Sequence, residues 1–93
     1  MKQQVKRLTL TGNWTAFTFS KKSYSFFVKN FTENDIFVSF ENNDQESESF
    51  KIKSGVGEEV FINENARRDE YLTDTIYVKG TGEVEVQQLK FKF

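Results

Sequence analysis

The sequence predicts an all-β fold, a single antiparallel β-sandwich of jelly-roll-like topology with about eight strands. Residue usage is the first reason. Eleven Phe, three Tyr and one Trp, with eight Val, four Ile and eight Thr, stand against only two Ala and four Leu. Aromatic and β-branched side chains suit strands, whereas Ala and Leu are the better helix formers. Punctuation is the second: short apolar or alternating segments are separated by clusters of Gly, Asn, Asp and Ser at the spacing of sandwiches and barrels. Size is the third. A chain of 93 residues can build one hydrophobic core and not two, so residues 1–93 form one domain. Many strands with short connections favour a sandwich over an open sheet.

Taken in order, the first strand spans residues 3–10 and ends at Thr11-Gly12-Asn13, the composition of a tight hairpin turn. The second spans 14–19 and is closed by the polar Ser20-Lys21-Lys22-Ser23. The third, 24–30, turns through Thr32-Glu33-Asn34-Asp35 into a fourth at 36–41. A polar loop at 42–48 precedes a fifth strand at 49–53, and Ser54-Gly55-Val56-Gly57 turns into a sixth at 59–62. Residues 63–74 are the longest stretch without a strand pattern, with room for a short helical turn at 64–72. The seventh strand is 75–79, Gly80-Thr81-Gly82 is its turn, and 83–93 is the last.

Four of these strands repeat one motif: Phe26-Phe27-Val28, Ile36-Phe37-Val38, Val60-Phe61-Ile62 and Ile76-Tyr77-Val78 are apolar triplets with an aromatic at the centre. Successive side chains of a strand point to opposite faces, so the outer pair faces one way and the aromatic the other. A strand with one solvated face alternates apolar with polar; these four do not. Three readings are open. The aromatics form the core with the aliphatics outside, or a terminal strand or long loop covers the second face within the monomer. Alternatively, Phe27, Phe37, Phe61 and Tyr77 contribute to a subunit interface, where aromatics are enriched; or the pattern is coincidence in a Phe-rich sequence. In the last strand Val84 and Val86 share a parity that passes to Leu89, Phe91 and Phe93, which is what a β-bulge near Gln87-Gln88 or a change of sheet produces. A terminus reading Phe91-Lys92-Phe93 is expected to be tied down, either paired into its own sandwich or held by a neighbouring subunit, and the second reading adds Leu89, Phe91 and Phe93 to the interface set.

Composition removes much chemistry. There is no Cys and no His, so thiolate metal sites, Cys nucleophiles and Ser-His pairs are absent from the chain. Thirteen Lys and Arg against fourteen Asp and Glu lack the basic excess of a nucleic-acid binder. No apolar run exceeds three residues, too short for a membrane span, and the first ten residues lack the apolar segment of a secretory signal. The acidic stretch 41–48 lacks the Gly and terminal Glu of a helical calcium loop and reads as a solvated hairpin loop. Carboxylate pairs such as Glu58 and Glu59 or Glu83 and Glu85 have no cleft to act across, the second pair reading as a solvent-facing edge. Arg67-Arg68, beside Asp69 and Glu70, reads as a locally neutralised surface or an intersubunit salt bridge. Asn13-Trp14-Thr15 and Asn30-Phe31-Thr32 match the glycosylation pattern without a secretory context. Catalytic, cofactor-binding and metal-binding residues are therefore expected to number none. The reading from another class is a carbohydrate-binding module, with Trp14, Tyr24 and Tyr71 as stacking platforms for a host cell-surface glycan.

The run Phe27-Val28-Lys29-Asn30-Phe31-Thr32-Glu33-Asn34-Asp35-Ile36-Phe37-Val38-Ser39-Phe40, then Ser49-Phe50-Lys51-Ile52-Lys53-Ser54-Gly55, then Thr75-Ile76-Tyr77-Val78-Lys79-Gly80-Thr81-Gly82-Glu83-Val84-Glu85-Val86, resembles small β-sandwich proteins of tailed phages and prophages of Gram-positive bacteria. These are accessory virion components: head decoration, neck or tail pieces. The resemblance spans residues 27–86, rests on strand and turn patterns, and carries no catalytic motif. It implies a non-enzymatic structural protein that self-associates as a homo-oligomer and docks onto other virion proteins of a larger head or tail assembly. Its location would be the virion, and the cytoplasm of the bacterial host during assembly.

Overall fold

The computed structural model describes residues 5–61 and 73–91. Among the described residues there are seven strands: β1 (Val5–Thr11), β2 (Thr15–Asn30), β3 (Ile36–Ser39), β4 (Phe50–Ile52), β5 (Gly57–Phe61), β6 (Thr73–Lys79) and β7 (Thr81–Phe91). A single 3₁₀ turn, Glu46–Glu48, interrupts the polar loop between β3 and β4. All pairings are antiparallel, in the order β1-β7-β2-β6-β3-β4, with β5 also on β2. The fold is the expected all-β sandwich, made from one continuous sheet folded over on itself.

The fold line is β2. Its residues 15–18 pair with β6, residues 25–30 with β7 and residues 25–29 with β5, while Ser23 at the bend lies opposite both Thr73 of β6 and Phe91 of β7. The two strands expected at 14–19 and 24–30 are thus one sixteen-residue strand, and the polar Ser20-Lys21-Lys22-Ser23 is the bend within it. One layer consists of β1, β7, the second half of β2 and β5. The other consists of the first half of β2, β6, β3 and β4.

This geometry alters two expected hairpins. β1 pairs with β7 and not with β2, so Thr11-Gly12-Asn13 is a corner between layers, held by the Gly12 N–H donating to the Gly80 carbonyl at 2.7 Å. β6 and β7, joined through Gly80, also pair with different halves of β2 and not with each other. The corner needs its glycines. A Cβ at Gly80 would lie 2.7 Å from Ile36 Cγ2, inside the core, and Gly82 has φ +118°, where side chains are strained.

The core settles which face of the triplets points inward. Phe26, Val28, Ile36, Val38, Val60, Ile76 and Val78 are buried together with Leu10, Phe17, Phe19, Ile52, Val84 and Val86. The central residues Phe27, Phe37, Phe61 and Tyr77 are half-buried on the outside. An aromatic core with aliphatics outside is therefore excluded. Phe26 anchors the interior and stacks at a tilt with Phe19, ring centroids 5.6 Å apart, and with Phe40 at 6.0 Å.

The parity switch expected in the last strand lies elsewhere. β7 runs in unbroken register along β2, from Asn30 opposite Val84 to Ser23 opposite Phe91. The inward set changes from Phe17 and Phe19 to Phe26 and Val28 within β2 instead, where the pairing with β6 shifts between Thr18 and Ser23. Gln88 consequently points inward. It is buried, with its Nε2 donating to the Lys21 carbonyl at the bend. Leu89 faces outward, half-buried, on the parity of Glu85 and Gln87.

Where β2 ends, a buried asparagine ties three segments together. Asn30 Nδ2 donates to the Asn34 carbonyl at 2.8 Å and the Ile52 carbonyl at 3.0 Å, and Oδ1 accepts the Thr32 N–H at 2.8 Å. Its backbone adds a donation to the Val56 carbonyl and accepts from the Gly55 N–H. One carboxamide thus fixes the β2–β3 turn against the end of β4. The side chain is consumed in this role, so the pattern Asn30-Phe31-Thr32 offers no accessible acceptor amide in the folded chain.

Candidate functional site

The two layers present two outward faces, and the triplets place aromatics on both. On the first, Ser25 lies between Phe61 of β5 and Leu89 of β7, and Phe27 lies between Glu59 and Gln87. Ser25 is fully buried among these larger neighbours, and its hydroxyl donates to Glu59 Oε2 at 2.8 Å. Phe27 also leans over the backbone of Gly57, where a Cβ would come within 2.7 Å of its Cε1. A ring laid over a strand glycine replaces the missing side chain and holds the aromatic in one position. Beside it is an open depression of about 250 Å³ lined by Phe27, Lys29, Asn30, Phe31, Val56 and the glycines of the turn. Phe31 and Val56 are 54% and 39% exposed, so the apolar surface continues past the strand ends.

An ion-pair lattice frames this face. Glu85 takes Arg7 on Oε1 at 2.7 Å and Lys29 on Oε2 at 3.3 Å, and Lys29 sits 5.9 Å from the Phe27 ring centroid. The Arg7 hydrogen bond, helped by Lys29 and opposed by partial desolvation, holds the Glu85 carboxyl below its ordinary 4.5. Of the expected solvent-facing pair, Glu83 is exposed and Glu85 is not. β7 is instead flanked by β1 and β2, so Glu85 is buried. Its partner lies 78 positions away, which no local pattern reveals.

The sign of the pH effect follows. A carboxyl depressed in the folded state contributes stability above its unfolded value, and that contribution is lost as pH falls through the folded one. In urea melts at pH 7, 5 and 3, Glu85→Gln is expected to be less stable than the wild type at pH 7. The gap should narrow towards pH 3. A gap independent of pH would contradict an ionic role for Glu85.

The second face is built on β3 and β6. Phe37 lies directly between Lys51 of β4 and Lys79 of β6, and Tyr77 lies between Ala16 of β2 and Ser39 of β3. Asp35 pairs with Lys51 at 3.2 Å and Glu46 with Lys79 at 3.1 Å, both carboxylates coming from loops. Ser39 is buried, and its hydroxyl donates to Asp44 Oδ2 at 2.8 Å. The Trp14 indole N–H donates to the Asp44 carbonyl at 3.1 Å, which clamps the 40–49 loop onto the start of β2.

The expected interface residues thus divide between opposite sides of the sandwich, Phe27, Phe61 and Leu89 on one and Phe37 and Tyr77 on the other. Phe91 belongs to β7 and pairs through its backbone with Ser23. Phe93, Tyr71, Arg67 and Arg68, and the helical turn expected at 64–72, lie outside the described residues. Of the glycan set, Tyr71 is outside the described residues, and Trp14 and Tyr24 are half-buried. Trp14 precedes β2 and Tyr24 lies past its bend, ten positions along the chain. The acidic 41–48 stretch spends its groups locally, Asp44 on Ser39 and Gln45 and Glu46 on Lys79. Among the described residues, no group of three Asp or Glu is placed to hold a metal ion.

The fold and these surfaces define a class, an antiparallel β-sandwich with an aromatic patch on each broad face. No protein-family model, curated protein or solved structure matches the chain.

Proposed function

We propose that the protein is a non-enzymatic structural component that works by association through its outward aromatics, as an accessory virion protein of a phage or prophage does. It would self-associate and dock onto a larger head or tail assembly. The observation that carries this reading is the inside-out economy of the triplets. The core is complete without Phe27, Phe37, Phe61 and Tyr77, yet all four are held at fixed positions on strands at half-exposed sites. Rigid aromatics at such sites are the side chains most enriched where proteins meet. The resemblance of residues 27–86 to small phage sandwiches points the same way, and a role in assembly requires no catalytic group.

The reading is tested by separating association from stability. Phe27→Ser removes an outward ring and its packing on Gly57, a cross-strand loss of about 1 kcal/mol. The variant is expected to stay folded by far-UV circular dichroism while its native mass falls to that of the 10.9 kDa chain. Unchanged association with Phe27 removed would contradict the proposed role.

A further inference from the structure

Resting on the reading that copies of this chain associate, we infer a second contact between them, separate from the aromatics. β1 of one copy pairs antiparallel with β1 of another, in the register that sets Leu8 against Leu8. β1 ends the path β1-β7-β2-β6-β3-β4, and among the described residues no strand pairs with its other side. Such an edge presents a row of backbone N–H and C=O groups, which an added strand takes up. Two copies joined there share one continuous sheet, built from the layer of β1, β7, the second half of β2 and β5 in each.

What selects β1 is that the devices that blunt an edge are missing from it. Protected edges are short or bulged, or carry Pro or a projecting charge. β1 is seven residues long, runs in unbroken register from Val5 opposite Gln87 to Thr11 opposite Thr81, and the chain has no Pro. β4, at the other end of the path, has only three residues. Both cations of β1 are drawn back onto their own copy. The Lys6 ammonium lies 5.6 Å from the Phe19 ring centroid, and Arg7 is bound to Glu85 of β7 at 2.7 Å. Leu8 shares the inward parity of buried Leu10, yet it is 41% exposed, an apolar side chain left uncovered at the free edge.

Parity and charge then choose the register. A two-fold axis through the sheet keeps the core sides of both copies together, so facing residues share a parity. Centring the pair on Lys6 or Arg7 sets like charges opposite each other, and centring it on Thr9 leaves Val5 and Lys6 unpaired. Centring on Leu8 uses all seven residues. Val5 then faces Thr11, Lys6 faces Leu10, Arg7 faces Thr9, and the two exposed leucines cover each other. A contact one strand wide is about 24 Å long and ~10 Å deep. That falls well short of the ~800 Å² per partner of a stable interface, so edge pairing adds to the aromatic contacts and does not hold a dimer alone.

The chain has no Cys, so a single introduced one reports the pairing. In this register two residues at position 8 have Cα atoms about 4.5–5.5 Å apart, within disulfide reach. Two residues at position 11 lie about 20 Å apart. Under mild oxidation Leu8→Cys is expected to form a covalent dimer about tenfold faster than Thr11→Cys, or more. An equimolar mixture of Val5→Cys and Thr11→Cys, which keeps Leu8, should join as the mixed dimer well beyond the statistical half, read by mass. Equal rates for Leu8→Cys and Thr11→Cys, or a mixture that joins at random, overturn the edge contact whatever the native mass of the wild type. The reading of the aromatics fails separately. If the wild-type mass stays at that of one chain while Leu8→Cys still joins at the faster rate, edge pairing stands and the aromatic contacts fall.

Discussion

Phe26→Ala is expected to destabilise the fold by about 3–5 kcal/mol, the range for emptying a large aromatic site in a packed core. Phe26 is fully buried, touches Phe19 and Phe40, and sits on β2 opposite both Val60 and Gln88. Its removal leaves a void at the centre of the sandwich, bordered by strands from both layers. A domain of this length has a total stability of about 5–14 kcal/mol, so the variant should lose a large share of it. Urea unfolding followed by Trp14 fluorescence measures the loss. The neighbouring Phe27→Ala is the control, since the same chemical change one position along the strand is expected to cost about 1 kcal/mol. Equal losses at the two positions would contradict the assignment of the inward face.

Asn30→Ala is expected to cost about 3 kcal/mol. The substitution strands the Ile52 carbonyl and the Thr32 N–H, and leaves the Asn34 carbonyl to the Thr32 hydroxyl alone, at a site where Asn30 itself is 1% exposed. Each buried polar group left without a partner costs about 1–3 kcal/mol, reduced where water enters. The effect should also be local. Amide hydrogen exchange is expected to quicken at Thr32 and in the β2–β3 turn more than in β6 and β7. A uniform increase across all strands would show that Asn30 supports global stability without tying these segments together.

The strands were legible because period-two patterning survives wherever one face is buried. The apolar triplets located β3, β5, β6 and the second half of β2, each within a residue or two. What they could not reveal was direction. With apolar side chains on both faces, Ile36-Phe37-Val38 reads equally well either way, and only packing against the opposite layer decides. Turn chemistry failed for a related reason. Gly12, Gly80 and Gly82 mark reversals, but a hairpin and a corner between layers need the same residues, and pairing partners many positions apart distinguish them. The parity change was visible in Phe17 and Phe19 against Phe26 and Val28. The polar Ser20-Lys21-Lys22-Ser23 between them read as a break in the chain, which hid a bend within one strand.

The candidate surfaces were half legible. Phe27, Phe37, Phe61 and Tyr77 stood out as the centres of apolar triplets and Leu89 as part of the apolar C-terminal run, and all five face outward. Their separation onto two sides follows from the fold of β2. Asn30 and the Arg7–Glu85–Lys29 lattice carried no local signal. An asparagine beside a turn is ordinary, and the charged partners meet only through the pairing of β1 and β2 with β7.

The most direct test of the central claim, that a core complete without Phe27, Phe37, Phe61 and Tyr77 leaves these outward aromatics for contact between chains, is the native mass of the wild type by sedimentation equilibrium over a wide concentration range. A mass that rises with concentration above 10.9 kDa towards a defined multimer is the expected result. A mass fixed at the single chain into the millimolar range would contradict it.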